Sequence, residues 1–128
     1  MRDYYNCLLI LLGLSLPLQA QAQKAYDILA YRADIYGNRA KLELADGYLL
    51  ASKITIHSRY GDQVFVANAN EPNRKGDLKF NPIKSTGRYK SIKGLWVMLN
   101  GVVLDARPSK IKAIYWDGKM HEKIVFKR

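Results

Sequence analysis

Five two-residue turn signals, Gly37-Asn38, Asp46-Gly47, Gly61-Asp62, Asn100-Gly101 and Asp117-Gly118, divide the chain into short runs in which apolar and polar residues alternate. Alternation with period two places successive side chains on opposite faces of a strand, and no stretch beyond residue 23 sustains the helical period. The chain is therefore expected to be all-β, either an antiparallel β-sandwich of about 8–9 short strands or a small flattened β-barrel. A bend near Lys53 and a crossover between Asn70 and Gly94 favour two sheets. The meanders at each end favour a barrel.

The hairpins can be written out residue by residue. A turn at Gly37-Asn38 places Asp34 opposite Lys41 and Arg32 opposite Glu43, with Leu29, Tyr31, Ala33 and Ile35 facing Ala40, Leu42 and Leu44. Asp46-Gly47 would set Leu44 opposite Leu49 and start a long strand from Tyr48 to about Arg59. Inward parity changes along it from Leu49 and Ala51 to Ile54 and Ile56, which implies a bulge near Ser52 and Lys53. Gly61-Asp62 joins the Ile54, Ile56 and Ser58 face to Phe65, Ala67 and Ala69. Residues Asn70 to Asp77 read as a loop, and Leu78 to Phe80 as a short strand stopped by Pro82. Asn100-Gly101 would pair Leu95 to Leu99 with Val102 to Ala106, giving a hairpin apolar on both faces, with Trp96 and Met98 on the second. Asp117-Gly118 would pair Trp116 with Lys119, Ile114 with His121 and Lys112 with Lys123.

The N-terminal segment is expected to lie outside this fold. The run from Cys7 to Leu18 is apolar apart from Ser15, and Ala20-Gln21-Ala22 supplies small residues where a signal peptidase reads. A run of about 12 apolar residues is too short to span a bilayer, which needs about 20. Residues 1–22 thus read as a signal peptide cleaved near Ala22, and residues 23–128 as a single β domain that is secreted or periplasmic. Cys7 is the only cysteine, so this domain has no disulfide and no thiol nucleophile.

The chain carries 21 Lys and Arg against 11 Asp and Glu, a net charge of +10. Arg2 and Asp3 cancel, so loss of the leader leaves that charge unchanged. From Lys24 to Asn73 six basic residues meet six acidic ones; from Arg74 to Arg128 there are fourteen basic and four acidic. The excess therefore sits in the second half. Two places concentrate it. One is the basic stretch from Lys84 to Gly94, with Arg88, Lys90 and Lys93 around Tyr89. The other is one face of the last hairpin, where Lys112, Lys119, His121 and Lys123 surround Trp116. Lys112 directly opposite Lys123 would cost roughly 0.2–1 kcal/mol, which an anionic partner would offset. Lysines supply non-directional charge and Trp116 a flat surface for a sugar ring or a cation.

These residues point to a non-catalytic secreted binding module for an anionic glycan or anionic surface, the partner being an anionic polysaccharide or an anionic membrane surface. Nucleic acid is not the expected partner of an exported protein, although basic residues interleaved with an aromatic would suit it. Two alternatives stand beside this reading: an assembly or protein-interaction subunit that uses Trp96 and Met98, and a carrier of a small apolar ligand. An enzyme is not expected. The two histidines, His57 and His121, have no Cys, Asp or Glu at metal-ligand spacing, the Asx-Gly pairs are turn chemistry, and no cofactor or metal is implied.

Overall fold

The computed structural model describes residues 26–85, 94–102 and 107–128. The expected leader, the segment bearing Arg88, Lys90 and Lys93, and Val103 to Ala106 lie outside the described residues. Eight strands, β1 (Asp27–Ile35), β2 (Asn38–Asp46), β3 (Lys53–Ser58), β4 (Gly61–Ala67), β5 (Leu78–Ser85), β6 (Trp96–Asn100), β7 (Lys110–Trp116) and β8 (His121–Lys127), form one closed antiparallel barrel. Each strand pairs with its neighbours in sequence and β8 returns to β1. Of the two expected architectures the barrel is the one built. No crossover spans Asn70 to Gly94, because β5 pairs with β4 on one side and β6 on the other.

Period-two alternation sorts the side chains as expected. Tyr31, Leu42, Leu44, Ile54, Phe65, Leu78, Phe80, Val97, Leu99 and Phe126 are fully or almost fully buried and fill the barrel axis. The aromatic rings interlock, with Phe65 edge-on to Tyr115 at 6.4 Å. Tyr31 also reaches the barrel end, where its hydroxyl donates to the Pro108 carbonyl at 2.7 Å.

The cross-strand register, by contrast, differs from that expected in three hairpins, by two residues in the first and last and by four in the third. In the first, Tyr36 and Gly37 occupy the turn, both with positive φ (50° and 77°), the requirement of a type I′ connection. Asp34 then faces Arg39, Arg32 faces Lys41, and Ala30 faces Glu43, which replaces the expected Asp34–Lys41 and Arg32–Glu43 pairs. In the third, the Ser58 hydroxyl accepts the Tyr60 N–H at 3.1 Å and donates to the Gly61 carbonyl at 3.0 Å. That moves the turn to Arg59 and Tyr60, and Ile54 faces Phe65. In the last, Asp117 Oδ1 accepts the N–H groups of Lys119 and Met120, each at 2.7 Å. The loop grows to four residues and Trp116 faces His121. Because each slip is an even number of residues, every side chain keeps its face while its cross-strand partner changes.

Three further expectations are corrected. The long strand after Gly47 is interrupted by a 3-10 turn at Leu49–Ala51, and that turn produces the parity change assigned to a bulge. Ser52, fully buried, accepts the Ala45 N–H at 2.8 Å and satisfies the backbone that the broken ladder leaves open. Strand β5 continues through Pro82, which sits opposite Phe65 where the register with β4 shifts; a missing N–H is tolerated at such an irregularity. The strand before Asn100-Gly101 takes other partners than the expected one, since β6 pairs with β7 from Trp96 to Asn100 and with β5 from Val97 to Leu99. The Val102 N–H instead donates to the Gly76 carbonyl at 2.8 Å. A side chain at Gly76 (φ +80°) would press within 3.1 Å of Gly101 Cα, so the two glycines let two backbones touch.

Candidate functional site

Barrel closure decides which outward side chains become neighbours. On β7 the outward residues are Lys110, Lys112, Ile114 and Trp116, and on β8 they are His121, Lys123, Val125 and Lys127. Pairing of β6 with β7 adds Trp96 opposite Trp116, Met98 opposite Ile114 and Asn100 opposite Lys112. Trp96 and Met98, expected on a separate hairpin, thus share a wall with Trp116.

That wall carries a ledge of three rings. Trp96 and Trp116 stack with centroids 6.4 Å apart and planes 22° from parallel. His121 packs on Trp116 at 4.5 Å and on Trp96 at 5.6 Å. The Lys79 ammonium lies 5.5 Å from the Trp96 ring centre, within cation–π range. Met98 and Ile114 extend the apolar strip below the rings, and Lys79 and Lys123 end the same cross-strand row. The ledge is apolar in the middle and cationic at both sides.

Of the expected site residues, Lys112, Trp116, His121 and Lys123 all lie on this wall, while Lys119 is exposed in the loop at its end. The Lys112–Lys123 opposition does not exist. Lys112 faces Val125 and Lys123 faces Ile114, because the loop that Asp117 holds shifts the register. Like charges meet elsewhere. Lys110 faces Lys127, Lys127 faces Arg32, and Arg32 faces Lys41, so four cations stand in one row across four strands. Arg32 and Lys41 come from the half of the chain whose charge sums to zero, and local sequence holds no signal that the barrel would bring them beside β8.

Acidic groups near these faces are few. Glu43 bridges Lys41 at 3.3 Å and Lys53 at 3.2 Å. Partial burial alone would raise its carboxyl, but hydrogen bonds from Lys53 and Lys41 outweigh that and hold it below the ordinary carboxylate range. Asp117 is also held low, first by the Met120 and Lys119 N–H groups. Both contribute stability that is complete above their unfolded values near pH ~4 and is lost as pH falls through the lower folded values. The melting temperature is expected to stay level from neutral pH down to about pH 5 and to fall below that. A Glu43→Gln variant should show a shallower acid limb in the same melts.

Among the described residues no group of three or more His, Cys, Asp or Glu is placed to hold a metal ion, and no helix is long and apolar enough to cross a membrane. Glu122 points inward opposite Tyr115, with its buried Oε2 lacking a hydrogen-bond partner among the described residues. No family model, curated protein or solved structure matches this chain.

Proposed function

We propose that this chain is a non-catalytic, exported binding module that holds an anionic polysaccharide on the outer wall of β6, β7 and β8. The ledge of Trp96, Trp116 and His121 carries the reading. Three rings on the outside of a barrel, with Lys79 and Lys123 ending the adjoining row, match the needs of an acidic sugar chain: apolar surface for the ring faces and cations for the carboxylate or sulfate groups. The apolar run before Ala22 supports export. Side chains filling the barrel axis favour the outer wall over the interior, which weighs against the carrier of a small apolar ligand.

The two tryptophans of the chain both sit in the ledge, so tryptophan emission, excited selectively over the nine tyrosines, reports on this wall. Titrating the protein with a sulfated polysaccharide, a polyuronate and anionic vesicles, each at low and physiological salt, is expected to change the tryptophan emission with one of the two glycans at both salts, more weakly at the higher. A response to vesicles alone would replace the glycan with a membrane surface. Silence with all three ligands would leave the wall to a protein partner at Trp96 and Met98.

A further inference from the structure

The β1–β8 ladder that closes the barrel is its shortest. Every other pair of neighbouring strands shares a ladder of at least three residues, whereas β1 and β8 meet through Arg32 opposite Lys127. Both residues are exposed cations. Lys110 stands on the far side of Lys127 and Lys41 on the far side of Arg32. Directly opposed residues have Cα atoms about 4.5–5.5 Å apart, so the four side chains start from adjacent positions in one cross-strand row. Glu43 answers Lys41. Among the described residues, no carboxylate lies within ion-pair distance of Arg32, Lys110 or Lys127. A groove runs along this seam, lined by Arg32, Asp34, Arg39, Lys41, His57 and Lys127 among others; Asp34 is its one acid.

Opposed like charges destabilise a strand pair, and here they sit on the one ladder pair that joins β1 to β8 among the described residues. We infer that the seam is a binding site for a tetrahedral oxyanion, a sulfate or phosphate group, that bridges Arg32 and Lys127 and holds the barrel closed. The chemistry suits the residues. A guanidinium presents two parallel N–H donors to two oxygens of such a group, and flanking ammonium groups neutralise the remaining charge without demanding a direction. The site is distinct from the ring ledge. Lys110 precedes Trp116 by six residues on β7, about 20 Å along the strand. Binding here would act on the fold directly, because an anion that bridges the seam binds the closed barrel and not the unfolded chain.

The test is thermal unfolding of the full chain at constant ionic strength, with part of the chloride replaced by millimolar sulfate or pyrophosphate. Saturating pyrophosphate is expected to raise the melting temperature by about 5 °C. An Arg32→Gln, Lys127→Gln double variant should melt no lower than the parent in chloride, since repulsion is removed, and should lose the pyrophosphate increment. Lys119→Gln, in the distant loop, should keep it. Should the double variant fail to fold, Lys110→Gln leaves the closing pair intact and must still weaken pyrophosphate several-fold. No increment in the parent, or an equal increment in the seam variants, would overturn the inference. A sulfated polysaccharide compared with its desulfated form separates the sources: a larger shift with the sulfated polymer assigns the anion to a polymer ester, and a shift with the inorganic ions alone assigns it to a free anion. Tryptophan emission reads the ledge separately, so loss of either site leaves the other measurable.

Discussion

A Phe65→Ala variant is expected to lose about 3–5 kcal/mol of unfolding free energy. Phe65 is fully buried, faces Ile54 on β3 and Pro82 on β5, and packs edge-on against Tyr115. Removing its ring leaves a cavity on the barrel axis that the surrounding strands cannot close, because their ladders set the barrel diameter. The loss is large against the total. A small domain is stable by only about 5–15 kcal/mol, and Cys7 being the sole cysteine, no disulfide supports this one. Urea unfolding should show a lower midpoint with an unchanged slope, while Val66→Ala, on the outward face of the same strand, should cost much less. The result bears on function as well. A Phe65→Ala loss below about 1 kcal/mol would mean that the axis is not close-packed, and would restore the carrier of a small apolar ligand as the leading reading.

How much of this was legible in the sequence follows from which interactions are local. Alternation in Leu29 to Ile35, Ile54 to Ser58 and Ile111 to Phe126 assigns the inward face correctly, because burial of one face of a strand is written in period two. Cross-strand partners were not legible. Gly37-Asn38 and Tyr36-Gly37 are both plausible turns, and the choice depends on Tyr36 adopting positive φ while its hydroxyl donates to Asp117, 81 positions away, at 3.1 Å. Asp117-Gly118 looked like a two-residue turn until its carboxylate took two backbone N–H groups. Asn100-Gly101, the strongest turn dipeptide, became a close approach to Gly76, since both edges of β6 were already occupied.

The candidate site divides in the same way. Lys112, Trp116, His121 and Lys123 share a face by strand parity alone, so a shift of two residues could not separate them. Trp96 joins them only through the β6–β7 pairing, and the Arg32–Lys127 seam exists only because eight strands close on themselves. Closure depends on strand number and stagger together, quantities that no single hairpin encodes. Basic residues accumulate along the C-terminal half of the chain, whereas Arg32 and Lys41 reach the seam from the neutral half, because closure sets neighbours around the barrel and not along the chain.

In the proposed glycan site the rings and the lysines of the ledge should contribute separately to affinity, and variants should part them. Trp116→Ala is expected to weaken binding of the responding polysaccharide by about 10–30-fold, the loss typical of an aromatic anchor, with the salt dependence unaltered. Trp96 remains to report the titration. Lys112→Gln with Lys123→Gln should weaken binding at low salt and also flatten the dependence of affinity on salt, because fewer counterions are exchanged when fewer cations meet the polymer. Melting temperatures of both variants should stay near the parent's, since Trp116 is only half-buried and the lysines are exposed. If Trp116→Ala altered only the salt slope, the ring would be acting through its neighbours' charges and the sugar-stacking role would fall. If the lysine variant bound as tightly as the parent at every salt, the positive charge of this wall would be general surface charge. Attraction for the polymer would then rest on the rings and on whatever the Arg32–Lys127 seam supplies.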